Sequence, residues 1–290
     1  MTPISSLEAG SPLEGVYAVR RKERRLSRQG RPFLALTLAD ATGAVPAMVF
    51  DEADYFGEQF AEGDRVRVIG RVTERDGRRS VIISHLRAAT DEAEPEDLLP
   101  RSHRDPDELF GFVLHLADEV ADPGLRALLG ALTGDDDLAR AWRTMPCTRS
   151  GHHAYIGGLI EHTVGVAAVV QALSVWHPRV DSDLLLAAAL AHDIGHARAF
   201  HLGATFDLTE EGRLLGHVAI GHEIVGDAAR AAGLPAGRRA ELLHAIDWHH
   251  GPPPGQAPGA ASPEALALWR ANQLETAVKA RLEGPGPIEA

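Results

Sequence analysis

In the second half of the chain the sequence reads Leu190-Ala191-His192-Asp193-Ile194-Gly195-His196. This stretch closes an apolar segment whose periodicity predicts a helix over 183–197. An imidazole or a carboxylate on an apolar helix face costs about 1–3 kcal/mol unless it finds partners. Because adjacent residues on a helix diverge by about 100°, His192 and Asp193 point in different directions. An aspartate between two cations can bridge them.

Further histidines lie in neighbouring apolar segments. The chain has 15 histidines, and His162, His217 and the pair His249-His250 fall in three other predicted helices. One such histidine is well explained by a hydrogen bond to a backbone carbonyl. Imidazoles and a carboxylate that converge inside a helical bundle are instead ligands that divalent transition metals prefer. Four such positions on successive helices therefore favour a metal centre.

The region that carries these histidines has helical periodicity, and N-cap and glycine signals mark its helix ends. Ser262-Pro263-Glu264, for example, is an N-cap followed by a proline in the first turn. The predicted helices cover 109–120, 125–132, 156–176, 183–197, 214–232, 237–250 and 263–282. We expect a helical lead-in over 107–150 and a helical bundle domain over 151–283.

The N-terminal region is predicted to be a small barrel. Apolar residues alternate over 33–38, 44–50, 65–72 and 80–83, which is typical of half-buried strands. Two segments that contain Asx and glycine residues, 40–43 and 75–78, are typical of hairpin turns. About five strands in so short a region indicate one domain over 12–90. The acidic, proline-containing segment 91–106 is expected to be a solvated linker.

The charge of the chain is divided between these regions. The net charge of −12 opposes nucleic-acid binding when it is taken alone. Residues 1–90, however, carry a net charge of +2 and residues 91–290 a net charge of −14. The first region is therefore suited to a polyanion and the second to cations.

Location and redox state are expected from simple signals. The N-terminal Met1-Thr2-Pro3-Ile4 lacks the basic and apolar regions of a secretory signal. No uninterrupted apolar run approaches the ~18 residues that span a bilayer. We therefore expect a cytoplasmic protein without a membrane partner. The single cysteine, Cys147, excludes an internal disulfide and is expected to be a small buried side chain.

The order His162, His192-Asp193 and a later acidic position resembles the HD superfamily of metal phosphohydrolases. The additional His217 and His249 resemble its two-metal branch. Three longer strings are similar to the YhaM-type family of 3′-to-5′ exoribonucleases, in which an OB-fold precedes the HD domain. These strings are His152-His153-Ala154-Tyr155-Ile156-Gly157-Gly158-Leu159-Ile160-Glu161-His162-Thr163, Leu215-Gly216-His217 and His249-His250-Gly251. The similarity extends from about Leu13 to Leu282.

The resemblance implies a multidomain protein with a small all-β OB barrel followed by an all-α HD-domain helical bundle. It also implies a divalent metal cofactor, with two ions; Mn²⁺ is favoured, and Co²⁺, Fe²⁺, Ni²⁺ and Mg²⁺ are the other options. The implied metal ligands are His162, His192, Asp193, His217, His249 and Asn272. The implied catalytic residues are Asp193, His196 and His153. One of the adjacent His249 and His250 suffices as a ligand, and the other is then free to contact substrate.

Two positions depart from the family pattern. His196 stands where the family usually has lysine after His-Asp-Ile-Gly, and an imidazole meets a phosphate as a cation only when it is protonated. Asn272 stands where the last aspartate ligand is expected, so the site has one negative charge less. Glu275, on the same helix face, either compensates for that charge or faces solvent.

The OB-like segment resembles barrels that bind single strands through basic grooves and stacking aromatics. The candidate phosphate contacts are Arg20, Arg21, Lys22, Arg24, Arg25, Arg28 and Arg31. Phe33 is the candidate stacking residue, with Phe50 as a second. The alternatives are a solvated charged hairpin and aromatic side chains that belong to the barrel core. The expected partner is single-stranded nucleic acid, RNA in preference to DNA, and a homo-oligomer is an option.

Three functions fit these observations. The first is a metal-dependent phosphodiester hydrolase that removes nucleotides from the 3′ end of single-stranded RNA. The second keeps the metal centre but acts on small nucleotides, because an acidic catalytic domain does not favour long polyanions. The third is a non-catalytic single-strand-binding protein whose HD site has decayed, as the neutral Asn272 suggests.

Overall fold

A computed structural model describes residues 2–89, 92–257, 259 and 261–283. Within these residues the chain forms two compact units. The first comprises 2–89, 92–100 and 202–207, and the second comprises 101–201, 208–257, 259 and 261–283. The expected boundary between Thr90 and Asp91 lies outside the described residues.

The first unit is the predicted small barrel. Its five strands form a closed barrel in the order β1-β2-β3-β5-β4, which the β1–β4 pairing closes. Strands β3 and β5 pair in parallel, and the other neighbours are antiparallel. The elements are β1 (Pro12–Leu26), β2 (Pro32–Asp40), β3 (Gly43–Val49), the short helix α1 (Ala53–Gly57), β4 (Arg65–Arg75) and β5 (Arg78–Ala88).

Alternation places the apolar side chains of β2 inside the barrel, where Leu34, Leu36 and Leu38 are buried. The β4–β5 ladder shifts register between Ile69 and Gly70. A Cβ atom on Gly70 would lie 2.6 Å from the carbonyl oxygen of Ile82. Only glycine allows the two strands to approach this closely at the bulge.

Two parts of this unit differ from expectation. The basic segment after Val19 belongs to β1, which pairs with β2 as far as Leu26. A run of basic side chains, interrupted only by Glu23, obscures this strand in the sequence because it leaves no apolar period to detect. Leu98 and Leu99, in the segment expected to be solvated, are buried at the end of a 3-10 helix over Pro95–Leu98.

The second unit is the predicted helical bundle, and the whole chain is therefore a barrel domain followed by a helical domain. Aspartate side chains cap several helices; Asp122, Asp135 and Asp181 each accept a hydrogen bond from a first-turn backbone N–H. The helices are α2 (Pro106–Glu119), α3 (Pro123–Gly134), α4 (Asp136–Thr144), α5 (Gly158–Trp176), α6 (Ser182–Ala191), α7 (His196–Ala199), α8 (Glu210–Ala231), α9 (Ala236–Asp247) and α10 (Pro263–Glu283). A hairpin of β6 (Phe200–Leu202) and β7 (Phe206–Leu208) separates α7 from α8.

The helix that was expected over 183–197 is divided. α6 ends at Ala191, and His192 and Asp193 lie in the turn before α7. A Cβ atom on Gly195 would lie 1.9 Å from the carbonyl oxygen of His217. The missing side chain therefore lets the turn rest directly on α8, which brings the two motifs together.

α5 is long and apolar enough to cross a membrane by length and composition alone, with a mean hydropathy of 1.4. Its Leu159, Ile160, Val166 and Val170 lie in the buried core of the helical unit. The apolar character of α5 is thus explained by its position in the core.

Candidate metal centre

The carboxylate of Asp193 lies at the centre of the histidine cluster, and this residue is only 4% exposed. Its Oδ2 atom lies 3.6 Å from His162 Nε2 and 3.5 Å from His192 Nε2. Its Oδ1 atom lies 3.5 Å from His217 Nε2 and 3.3 Å from His249 Nε2. One pair of imidazoles therefore faces each oxygen of a single carboxylate.

The separations within each pair match those of ligands on one ion. The Nε2 atoms of His162 and His192 are 3.2 Å apart, and those of His217 and His249 are 3.4 Å apart. His250 Nε2 lies 3.0 Å from His217 Nε2 and joins the second pair. Two nitrogens bound at about 2.0–2.1 Å lie about 2.9–3.4 Å apart for octahedral to tetrahedral angles. The geometry fits two cations, one on each side of Asp193.

One carboxylate oxygen at the centre of this cluster lacks a protein partner. Asp193 Oδ1 is buried, and within the described residues it accepts no hydrogen bond. Burying a polar atom without a hydrogen bond costs about 1–3 kcal/mol, and a charged oxygen costs more than a neutral one. This oxygen therefore needs a counter-charge. A cation between Oδ1 and the facing imidazoles supplies one. The residues present therefore fit a divalent metal.

Backbone carbonyls fix two of the imidazoles in the tautomer that binds metal. His192 Nδ1 donates to the carbonyl oxygen of Ala189 at 2.9 Å, and His249 Nδ1 donates to that of Ile246 at 2.5 Å. With the proton on Nδ1, each Nε2 atom directs its lone pair toward Asp193.

The charge states of the cluster also favour metal binding. Burial lowers the pKa of His192 to about 3, and burial together with the neighbouring histidines lowers the pKa of His217 and of His250 to about 4. Burial opposes ionisation of Asp193, but the surrounding histidines hold its pKa well below the usual range. Near neutral pH His192, His217 and His250 are thus neutral beside an ionised carboxylate, the forms that coordinate metal. Burial opposes protonation of His162, but Glu275 and Asp193 raise its pKa, so this imidazole releases a proton more readily when it binds a cation than when it is metal-free.

Glu275 lies behind the first imidazole pair. Its Oε2 accepts a hydrogen bond from His162 Nδ1 at 2.5 Å, and its Oε1 accepts one from His153 Nε2 at 2.9 Å. Burial raises the pKa of Glu275, but these two hydrogen bonds outweigh it and lower the pKa to about 2. The carboxylate therefore orients His162 from the side opposite to Asp193.

The network continues outward from His153. Its Nδ1 atom lies 2.8 Å from the hydroxyl of Tyr155, and that hydroxyl donates to Glu161 at 3.0 Å. Glu161 also pairs with Lys279 at 2.6 Å. His153 is not among the described residues that line the cavity beside Asp193. Its predicted catalytic role would have to act through Glu275 and His162.

A cavity of about 460 Å³ opens beside Asp193. The predicted residues His162, His196, His217, His249 and Asn272 line it, together with His250. Asn272 Nδ2 donates to the carbonyl oxygen of His249 at 3.0 Å. Eight other described residues also line the cavity, and sequence reasoning did not single them out as site residues. They are Cys147, Thr148, His152, Trp269, Gln273, Thr276, Ala277 and Ala280.

Most of the predicted phosphate contacts on the barrel have intramolecular partners. Arg21 and Arg25 both pair with Glu23, and Arg24 pairs with Asp54 of α1. The Lys22 ammonium donates to the backbone carbonyls of Gly57, the last residue of α1, and of Phe60 beyond it. Arg20 is half-buried, and burial lowers its pKa.

Arg28 and Arg31 lie exposed in the turn between β1 and β2. Among the residues that the structure describes, neither forms an ion pair. Close by, the rings of Phe33 and Phe50 pack with centroids 5.5 Å apart. Phe50 is 46% exposed, and neither ring belongs to the barrel core cluster. Arg25 is the β1 residue opposite Phe33, so basic and aromatic side chains share the outer face of the barrel.

The comparisons with known proteins agree with both units. Residues 159–281 match the HD domain family, and residues 17–89 match an OB-fold nucleic acid binding domain family. The chain is 26% identical over 245 residues to the 3′-5′ exoribonuclease YhaM of Halalkalibacterium halodurans, covering 84% of this chain and 76% of that protein. It is 26% identical over 246 residues to the protein of the same name from Bacillus velezensis, covering 84% and 78%.

Two solved structures are similar to about a third of the chain. One is the second OB-fold domain of replication protein A from Methanococcus maripaludis, with 19% identity and a TM-score of 0.26 over 32% of this chain and 98% of that one. The other is a mitochondrial single-stranded DNA binding protein from S. cerevisiae, with 15% identity and a TM-score of 0.25 over 29% and 98%. The chain thus carries an OB-fold nucleic acid binding domain over 17–89 and an HD domain over 159–281, and the histidine cluster of the HD domain could hold metal ions.

Proposed function

We propose that this protein is a 3′-to-5′ exoribonuclease that uses two divalent cations to hydrolyse phosphodiester bonds at the end of single-stranded RNA. The observation that carries the proposal is the pair of imidazole groups on opposite oxygens of Asp193. Two cations held by one bridging carboxylate are the arrangement of two-metal phosphoryl hydrolases. The activity named for the two relatives supplies the direction of cleavage and the RNA substrate.

The residues around the cavity suit this reaction. Bound cations would lower the pKa of a water toward neutrality and neutralise the charge of the attacked phosphate. Asp193 presents one oxygen to each imidazole pair, and Glu275 fixes the orientation of His162. His152 offers an imidazole on the cavity wall, and Trp269 offers a ring on which a terminal base can stack.

Mn²⁺ is the cation that we propose. The ligand set mixes imidazole nitrogens with a carboxylate, which suits Mn²⁺, Co²⁺, Fe²⁺ and Ni²⁺ better than Mg²⁺, because Mg²⁺ prefers oxygen ligands. The neutral Asn272 leaves less negative charge around the two cations, so we expect the second ion to bind more weakly than the first.

The test is a time course on single-stranded RNA labelled at its 5′ end, in the presence of Mn²⁺. We expect a ladder that shortens from the 3′ end with release of mononucleotides, and no products after chelation. Hydrolysis of free nucleotides with intact RNA would assign the chain to small substrates instead. Equal degradation of single-stranded DNA would remove the proposed preference for RNA.

The exposed basic turn should contribute to RNA binding. Replacing both Arg28 and Arg31 with glutamine should weaken binding and flatten its salt dependence, since each lost phosphate contact reduces the slope of log K against log salt by about 0.7 on single strands. The measurement is the affinity for a 5′-labelled RNA at several salt concentrations.

A matched control removes two arginines elsewhere. Arg140 and Arg230 lie exposed on α4 and α8, each paired with an aspartate three residues earlier, and their double glutamine variant should bind RNA normally. An equal loss in both double variants would show that net charge alone determines binding. Cleavage of a dinucleotide should change little, because so short a substrate needs no contact with the turn.

A further inference from the structure

His196 is a buried imidazole that forms no hydrogen bond with the residues that the structure describes. The residue is 6% exposed, and its Nδ1 atom has no partner among the described residues. Its Nε2 atom lies 3.8 Å from Asp193 Oδ2, which is beyond hydrogen-bond distance. The ring is held in place by stacking on His217, with centroids 4.1 Å apart. The ring also lines the cavity beside Asp193, so a ligand in that cavity can reach it.

Cys147 lies on the same side of the Asp193 carboxylate. Its thiol donates to Asp193 Oδ2 at 3.3 Å, and the side chain lines the cavity. Cys147 Sγ, Asp193 Oδ2 and a ring nitrogen of His196 all lie within 4.8 Å of one another. This is a cluster of one sulfur, one oxygen and one nitrogen donor, distinct from the two imidazole pairs.

We propose that Cys147, Asp193 and His196 form a third cation position that selects thiophilic divalent ions such as Zn²⁺. Thiolate, imidazole and carboxylate are the ligand types that Zn²⁺ prefers, in tetrahedral geometry. On such an ion these three donors would lie about 3.4–3.6 Å apart. The observed sulfur–oxygen and nitrogen–oxygen separations of 3.3 and 3.8 Å are within a few tenths of an ångström of those values.

Occupation of this position has a chemical consequence at the centre. The thiol proton is released to solvent when the sulfur binds the ion. Asp193 Oδ2 is also the oxygen that faces His162 and His192. An ion at the third position therefore draws this oxygen away from the first imidazole pair. Zn²⁺ bound there is an inhibitor of the hydrolase, and this last step alone rests on the proposed function.

The site is tested with Co²⁺, which substitutes for Zn²⁺ and gives a thiolate-to-metal charge-transfer band in the near ultraviolet. The full chain is titrated with Co²⁺, and absorbance and bound metal are measured together. We expect the wild type to show the band. The Cys147→Ser variant should show no band and should bind one equivalent of Co²⁺ fewer. Because Cys147 is the single cysteine in the chain, any such band reports on this residue. A wild-type protein without the band at saturating Co²⁺ would overturn the site.

His196→Asn separates this site from a contact between His196 and substrate phosphate. If the imidazole is a ligand, the Co²⁺ concentration that gives half of the maximal absorbance should rise at least about tenfold. Losing a residue that only orients a metal ligand already weakens metal binding by about 10–100-fold. An unchanged band together with a raised KM for RNA would assign His196 to substrate alone and overturn the proposal. Circular dichroism and thermal melting show whether both variants are folded. If Cys147→Ser does not fold, Cys147→Ala replaces it in the titration.

The inhibitory role has its own readout. Each protein is assayed in Mn²⁺ with increasing Zn²⁺, and each rate is divided by the rate of the same protein without Zn²⁺. Cys147→Ser should require at least about tenfold more Zn²⁺ for half-inhibition, and equal sensitivity would overturn the inhibitory role. If the wild type cleaves no RNA, the proposed function fails, but the Co²⁺ band still decides whether the site exists.

Discussion

The Asp193→Asn variant is expected to bind neither cation and to lose at least about 10³-fold in turnover, equivalent to about 4 kcal/mol of transition-state stabilisation. The reason is that each imidazole pair faces one oxygen of this carboxylate. An amide presents one oxygen and one N–H₂ group, so it offers no ligand to one of the two pairs, and it removes the negative charge shared by both ions.

Metal content after dialysis against Mn²⁺ and RNA cleavage are measured on the same preparation. Loss of fold does not explain such a result if the metal-free variant melts at or above the wild-type temperature. The matched control is Asp227→Asn on the exposed side of α8, where the aspartate pairs with Arg230. Retention of both ions by Asp193→Asn would show that the carboxylate does not bridge them.

The barrel could be predicted where its strands alternate apolar and polar residues. β2 shows this most clearly, because Leu34, Leu36 and Leu38 alternate with partly exposed residues. The second half of β1 could not be recognised, since Arg21, Glu23 and Arg25 occupy its outer face and Lys22 turns toward the end of α1. Charged side chains on both faces leave no hydrophobic period.

The helical unit shows a similar limit. α4 escaped prediction because it is short and strongly charged, with Asp136, Asp137, Arg140 and Arg143 in nine residues. α8 begins at Glu210 and contains a kink at Gly216, where φ is 74° and ψ is 158°. The periodicity is interrupted there, which is why the sequence places the start of this helix several residues too late.

Sequence reasoning located the histidines of the centre but not the contacts that orient them. A histidine in an apolar helix is a local signal, and His162, His192, His217 and His249 are all brought to Asp193. The partners of Glu275, by contrast, lie 113 and 122 positions earlier in the chain. Cys147 was expected to be an inert buried side chain, and only the folded chain reveals its contact with Asp193. Such contacts depend on tertiary packing, and the local periodicity of a single sequence does not predict them.

The departure at Asn272 therefore has a different consequence from the one its sequence suggests. Glu275 is not free to replace the missing carboxylate at the cations, because both of its oxygens accept hydrogen bonds from His162 and His153. Asn272 instead uses its amide N–H₂ to hold the carbonyl of His249. The site therefore lacks the negative charge of an aspartate at position 272, but the amide of Asn272 forms a hydrogen bond that positions His249 of the second imidazole pair.

Glu275→Gln should reduce Mn²⁺ affinity and RNA cleavage by about 10–100-fold, the usual effect of losing a partner that orients a metal-binding histidine. Glutamine has one acceptor oxygen, so it cannot accept from both His162 and His153. The N–H₂ group then faces one of the two imidazoles, and His162 loses the constraint on its tautomer. Isothermal titration with Mn²⁺ gives the affinity without reference to activity.

Two variants of the same helix complete this test. Glu283→Gln removes a carboxylate that contacts the His153 backbone N–H and Lys279, and it should leave Mn²⁺ affinity nearly unchanged. Asn272→Asp adds the charge that the cations lack but breaks the hydrogen bond to His249, at a cost of about 1–3 kcal/mol to the metal-free protein. It should therefore lower the melting temperature without metal and raise Mn²⁺ affinity. If Asn272→Asp also restores the affinity lost in Glu275→Gln, Glu275 acts through charge, and the orienting role assigned to it here is wrong.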